Sequence, residues 1–167
     1  MTSREDVTAF LARIERIHLG IGDLTWTGGL FSFEEFRDIY ARPEEWLESA
    51  LSALSSEAVG DERKTIVALA MQGLPLPALV AFGERVLARL EAGLVSENVF
   101  EHAVFPTYDW NTTLQEHPDD PGVQRLLRQV LDSPRVGAQR KQIVKDGILT
   151  GQAREDVLRL REAQQIR

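Results

Sequence analysis

Apolar residues recur at intervals of three and four along most of the chain, which is the spacing of one face of an α-helix. The first such stripe comprises Val7, Phe10, Leu11, Ile14 and Ile17. Ser3 precedes it, and Asp6 stands three residues further on, which approximates a capping box at a helix start. Gly20 and Gly22 predict the end of this helix.

Caps and prolines predict where the following helices begin. Ser32, with Glu35 three residues later, predicts a second helix. Its expected apolar side comprises Phe33, Phe36, Ile39 and Tyr40. Pro43 predicts the start of a third helix, because a proline loses no hydrogen bond at the first helical position. The expected buried side of that helix comprises Trp46, Leu47, Ala50, Leu51 and Leu54.

The second half of the chain continues the pattern. A fourth helix is expected from Asp61 to Gln72, with Ile66, Val67, Leu69 and Ala70 as its buried side. Gly93 predicts the end of a long fifth helix, and Ser96 caps a short sixth one. A stripe of Val123, Leu126, Leu127, Val130 and Leu131 predicts the next helix. Ser133–Pro134 predicts another, running to about Asp146, and Thr150 a last one.

Evidence for β-structure is confined to residues 24–33, where glycines weaken it. The sequence therefore predicts an all-α protein, with residues 1–167 forming a single helical domain of about eight helices. Short links between successive helices favour an irregular antiparallel bundle. A HEAT-like stack is the alternative arrangement, although no exact repeat supports it.

Composition limits the environment and the chemistry. The chain contains no cysteine, which excludes disulfides and cysteine-bound zinc. No apolar run approaches the roughly 20 residues of a membrane span. The first residues are polar and carry both charge signs, unlike a secretory signal. We therefore expect a cytoplasmic protein with no membrane partner.

Catalytic motifs are missing from the sequence. His18, His102 and His117 have no spacing typical of zinc ligands. Neither a nucleophile elbow nor a phosphate-binding glycine loop is present. The many neighbouring carboxylates are explained by helix starts, where negative charge is favoured. We expect no enzyme activity, no metal and no cofactor; a hydrolase of unrecognised type is the third hypothesis for function.

Charge is segregated along the chain. The net charge is −7, and residues 31–62 contain nine acidic and two basic side chains. Residues 97–124 contain six acidic and no basic ones, whereas residues 125–167 contain ten basic and five acidic ones. Such clusters form either a solvated surface or an acidic patch that steers a basic partner. The candidate patch comprises Glu34, Glu35, Asp38, Glu44, Glu45 and Glu48.

An irregular stretch over residues 105–122 contains a tyrosine and a tryptophan on either side of an acid. Tyr108, Asp109 and Trp110 are candidate partner-binding residues, because tyrosine and tryptophan are preferred interface anchors. The alternative is that Trp110 fills the core between helices. Trp26, in the glycine-rich loop, has the same two interpretations.

Three segments together resemble small α-helical bacterial immunity proteins that are paired with secreted toxins, such as effectors of type VI or similar polymorphic toxin systems. They are residues 71–76 (Met-Gln-Gly-Leu-Pro-Leu), residues 93–96 (Gly-Leu-Val-Ser), and residues 105–112 with the following helix. The resemblance spans about residues 60–132, and its motifs are helix ends and core positions. It implies a non-enzymatic protein that occludes the active site of a cognate toxin.

A toxin that acts on phosphate-bearing substrates has a basic active-site region, which an acidic surface complements. The sequence analysis therefore predicts an immunity protein whose partner is such a toxin. The alternative is a DNA-binding regulator that uses basic C-terminal helices. The basic residues there are Arg135, Arg140, Lys141, Lys145, Arg154, Arg159 and Arg161. Interspersed acids and the acidic whole chain disfavour nucleic acid as a partner.

Overall fold

A computed structural model describes residues 6–22, 34–104, 114 and 117–147, without the side chains of 18–22, 34–36, 146 and 147. All regular elements in these ranges are helical, which confirms the all-α class. The α-helices are α1 (Val7–Gly22), α2 (Glu34–Ala41), α3 (Pro43–Ser55), α4 (Asp61–Ala70), α5 (Leu76–Glu91), α6 (Glu97–Val104), α7 (Pro121–Asp132) and α8 (Ala138–Gly147). None of the described helices is long and apolar enough to cross a membrane.

Contacts divide the chain into two compact units, Met1–Asn111 and Thr112–Arg167. The single domain expected over residues 1–167 stays a prediction. The expectations for Ser3, Ser32, residues 24–33, residues 105–113 and the helix after Thr150 lie outside the described residues.

The first unit is built around α3 and α4. Helix α4 packs against α1 and α6, whereas α3 packs against α1, α4 and α5. Four members of the predicted α1 stripe are buried: Phe10, Leu11, Ile14 and Ile17. All five residues expected on the buried side of α3 are also buried, and Pro43 is its first residue as predicted.

Helix ends in this unit follow from local chemistry. The Asp6 carboxylate accepts a hydrogen bond from the Thr8 N–H (3.3 Å), so Asp6 flanks the start of α1. Gly93 has φ of +75°, a conformation that glycine adopts without strain. It ends α5 while the Leu94 N–H reaches back to the Arg89 carbonyl (2.9 Å). The Ser96 hydroxyl caps α6 by accepting from the Val99 N–H (3.2 Å), as predicted.

Two expectations for helix faces in the first unit are wrong. Tyr40 lies on the solvent side of α2, while its neighbour Ile39 is fully buried. Adjacent helical residues point about 100° apart, and on α2 it is Ile39 that faces the core. In α4, Ile66 and Leu69 are half-buried, and the helix ends at Ala70, where a 3₁₀ turn over Met71–Gly73 follows.

The second unit contains α7 and α8, which pack against each other. The predicted stripe of α7 is buried at Val123, Leu126, Leu127 and Val130, with Leu131 half-buried. The start of α7 is set by Asp120, whose carboxylate accepts from the Gly122 N–H (2.8 Å) and the Val123 N–H (3.1 Å).

The helix start predicted at Ser133–Pro134 is wrong. The Ser133 N–H donates to the Gln129 carbonyl (3.0 Å), so Ser133 ends α7. Its hydroxyl accepts from the Arg135 N–H (3.4 Å) and stabilises a turn. Helix α8 begins later, at Ala138, after Val136 has entered the core.

Candidate functional site

The residues predicted to bind a partner are described unequally. Asp38 lies in α2, and Glu44, Glu45 and Glu48 lie in the first two turns of α3. Glu34 and Glu35 are in α2, but their side chains lie outside the described residues, as do Tyr108, Asp109 and Trp110 entirely. The described acids therefore come together where α2 meets α3.

Asp38 is the centre of a hydrogen-bonded network that joins three helices. Its carboxylate accepts from Arg42 Nε (2.7 Å) and Arg42 Nη2, the two-donor geometry of a strong ion pair. The same carboxylate accepts from the indole N–H of Trp46 (2.9 Å) and from Arg13 Nη2 (3.4 Å). Three different side chains thus converge on one carboxyl group.

The network continues into the core through the Trp46 ring. The Arg13 guanidinium carbon lies 4.0 Å from the centre of that ring, within range of a cation–π interaction. On α1, the Phe10 ring contacts the indole with centroids 5.9 Å apart. The hydrogen bonds from Arg42 hold the pKa of Asp38 below its ordinary value, against the opposing effect of burial. Asp38 therefore acts as an anchor for α1, α2 and α3.

The carboxylates of α3 differ from Asp38 in exposure. Glu45 accepts from Arg42 Nη1 (2.8 Å), and Glu48 accepts from Arg85 Nη1 (2.6 Å) on α5. Both glutamate side chains are more than half exposed. Glu44 is exposed and forms no ion pair within the described part of the chain. Water screens such surface pairs, so these carboxylates remain accessible to a partner.

Tyr40 is the functional candidate that the sequence reasoning missed. It retains 55% of its surface in contact with solvent, the largest exposure of a large apolar side chain among the described residues. Ala41 and Arg42, which follow it, are also exposed. Local sequence carries no signal for its exposure, because two adjacent helical residues can both be buried, as Phe10 and Leu11 are on α1.

We call this region the α2–α3 corner and define it by Tyr40, Ala41, Arg42, Glu44, Glu45 and Glu48. It combines an exposed aromatic ring, a guanidinium and three exposed carboxylates on consecutive helices. Arg42, between α2 and α3, and Arg85 on α5 offset part of the acidic charge, so the corner is a mixed polar surface. Such a surface can bind a protein through aromatic contact and exchange of ion pairs.

The histidines outside α1 take part in local contacts. His102 is half-buried, and its Nδ1 lies 2.7 Å from the Asn98 carbonyl. His117 is exposed and is the first residue of the described range 117–147. Among the described residues, no three histidine or acidic side chains converge closely enough to hold a metal ion.

Two segments that carry the family resemblance, residues 71–76 and 93–96, lie at helix ends in the structure. The Gln72 side-chain amide donates to the Ala103 carbonyl (2.8 Å) and the His102 carbonyl (3.1 Å). These carbonyls lie at the end of α6, where a helix lacks its own donors. Buried Lys64 likewise donates to the Leu94 carbonyl (3.0 Å). These segments therefore position helices, and the turn over Met71–Gly73 packs against α2 and α3.

The basic C-terminal residues are partly described. Arg135 and Lys145 are exposed, and Arg140 and Lys141 are half-buried. The remaining basic residues of the DNA-binding alternative lie outside the described residues. That alternative stays a prediction.

Comparison with protein families, with characterised proteins and with solved structures finds no match to this chain. The likeness to helical immunity proteins therefore rests on the three sequence segments alone.

Proposed function

We propose that this protein is an immunity protein that binds a cognate bacterial toxin through the α2–α3 corner and occludes the toxin's active site. The observation that carries the proposal is the exposed ring of Tyr40 beside the exposed carboxylates at the start of α3. The likeness of residues 71–76 and 93–96 to helical immunity proteins gives the class of partner. The chain itself performs no chemistry in this proposal.

Tyr40 suits the role of a central anchor. A tyrosine brings a large rigid ring and a hydroxyl, and it loses little side-chain entropy when a partner covers it. Asp38 and Ile39, which precede it in α2, are fixed by the network and by the core. The backbone that carries Tyr40 is therefore held in place before binding.

The carboxylates supply attraction for a basic toxin surface. Glu44 forms no ion pair within the described residues, so it can receive a partner's arginine or lysine without losing one of its own. Glu45 and Glu48 can exchange exposed intramolecular pairs for intermolecular ones at small cost. Charges at the rim of an interface act mainly on the rate of association.

The test is co-expression with the protein encoded by the neighbouring gene, scored by growth rescue and by co-purification. Tyr40→Ala should weaken the complex by about 2 kcal/mol, roughly 30-fold, and reduce rescue. Glu44→Lys should slow association. Glu57→Lys is the matched control, because it makes the same charge change in an exposed residue beyond the other end of α3.

Absence of both complex and rescue with the wild-type chain would remove the immunity proposal. Rescue by the wild type that Tyr40→Ala and Glu44→Lys leave intact would keep the partner class but exclude the α2–α3 corner. Salt-dependent binding of duplex DNA without a protein partner would favour the DNA-binding alternative.

A further inference from the structure

A second charged region lies where the end of α3 meets the second half of α5. Arg89, on α5, is half-buried and has no carboxylate within ion-pair distance among the described residues. Its Nε donates to the Ser55 hydroxyl (2.8 Å), and its Nη1 donates to the Arg85 carbonyl (3.0 Å). The guanidinium is therefore held on two sides.

Ser55 fixes the direction of this guanidinium. Its hydroxyl donates to the Leu51 carbonyl (2.8 Å) within α3, which leaves its oxygen lone pairs directed at Arg89. A guanidinium has five donor hydrogens, and these contacts use two of them. Nη2 makes no hydrogen bond within the described residues, and Nη1 retains one unused hydrogen. Two hydrogens of Nη2 and one of Nη1 therefore remain available to an oxyanion.

The surroundings of Arg89 are short of negative charge. Arg85 lies one helical turn away, and its own guanidinium is paired with Glu48 (2.6 Å). Burial lowers the pKa of Arg89, repulsion by Arg85 lowers it further, and attraction to Glu48 opposes both. A bound anion would relieve the repulsion and replace the water lost on burial. Arg85 and Arg89, with Glu48 as the carboxylate that offsets them, leave a net positive charge at this position.

We propose that Arg89, oriented by Ser55 and assisted by Arg85, forms an oxyanion-binding site between α3 and α5 for a carboxylate or phosphate group. Arg89 supplies a preorganised pair of donors, and Arg85 supplies a second positive charge. The site shares only the Arg85–Glu48 ion pair with the α2–α3 corner, and Arg89 and Ser55 lie outside that corner, so either proposal can fail without the other.

The experiment follows the Nε–H signals of arginine by NMR in the ¹⁵N-labelled full chain. Sodium phosphate and sodium acetate are titrated separately, with sodium chloride holding ionic strength constant. A saturable shift of the Arg89 signal is expected with at least one of the two anions. Saturation by phosphate alone identifies a phosphate group as the ligand, and saturation by acetate identifies a carboxylate.

Variants separate a site from general charge attraction. Arg89→Lys keeps the charge and loses the planar pair of donors, so anion affinity should fall by on the order of tenfold, about 1.4 kcal/mol. Because Arg89 is replaced in this variant, its binding is read from backbone amide shifts around Ser55 and Arg85. Arg63→Lys is the matched control, because it makes the same substitution in an exposed arginine that is paired with Glu15 (3.2 Å) elsewhere on the first unit.

The control variant should retain wild-type affinity. Linear shifts without saturation for both anions would overturn the proposal. Equal affinity in Arg89→Lys and the wild type would also overturn it. Circular dichroism of each variant establishes that the helices are retained.

Discussion

Asp38 and the carboxylates of α3 belong to the same acidic segment, yet the fold uses them differently. Asp38 is three-quarters buried and is held by Arg42, Arg13 and the Trp46 indole. Glu45 and Glu48 each pair with one arginine in open solvent. The net charge of a segment therefore does not determine which of its carboxylates a partner can reach. Burial and the number of donors decide it.

The largest expected effect comes from removing the Asp38 carboxylate. Asp38→Ala should lower the free energy of unfolding by about 2–3 kcal/mol, because it leaves several donors without their charged acceptor. Urea denaturation followed by circular dichroism measures this loss. Glu44→Ala, the control on α3, should stay within about 0.5 kcal/mol. Equal losses in the two variants would show that Asp38 is no more important for stability than the exposed Glu44.

The stabilisation of the fold by the Asp38 carboxylate should depend on pH. A carboxyl group whose pKa is lower in the folded state stabilises the fold above its unfolded pKa of about 3.9. That stabilisation is lost as the pH falls through the lower folded pKa. The penalty of Asp38→Asn, about 1–2 kcal/mol at pH 7, should therefore shrink below pH ~4. A penalty independent of pH between 7 and 2.5 would contradict the charged network.

The indole hydrogen bond should contribute less than the whole carboxylate. Trp46→Phe keeps an aromatic ring beneath Arg13 but removes the donor to Asp38 (2.9 Å). We expect a loss of about 1–2 kcal/mol in thermal or urea unfolding. In the Asp38→Ala background the same substitution should cost less, since its acceptor is already gone. If the losses from Trp46→Phe and Asp38→Ala add fully in the double variant, the indole and the carboxylate do not stabilise each other.

The smallest effects are expected on the exposed side of α3. Glu45→Gln and Glu48→Gln should each change the free energy of unfolding by no more than about 0.5 kcal/mol. Raising the salt concentration should reduce even this difference. Chemical denaturation at low and high salt measures both. A loss above 1 kcal/mol in either variant would place that glutamate with Asp38 as a structural residue.

Much of the fold follows from local sequence. The helical class, Pro43 at the start of α3, Gly93 after α5 and Ser96 at the start of α6 all depend on neighbouring residues, and each is confirmed. Ser133–Pro134 misleads because a serine can end one helix as well as begin another. Its N–H bond to Gln129 depends on α7 continuing to that point.

The candidate surface could not be predicted to the same extent. The arginines that pair with Asp38 and Glu48 include Arg13 from α1 and Arg85 from α5, which are distant in sequence. Counting charges within a segment omits such partners. The spacing of apolar residues predicts Tyr40 on the apolar side of α2, whereas in the structure Ile39 packs in the core and Tyr40 is exposed. Both points depend on tertiary packing.

We propose that a toxin binds at the α2–α3 corner, whereas Asp38 stabilises the fold. The dissociation constant of the toxin from the Tyr40→Ala variant, compared with that of the wild type, tests this division. We expect about 30-fold weaker binding, roughly 2 kcal/mol, with an unchanged melting temperature. An unchanged dissociation constant would contradict it.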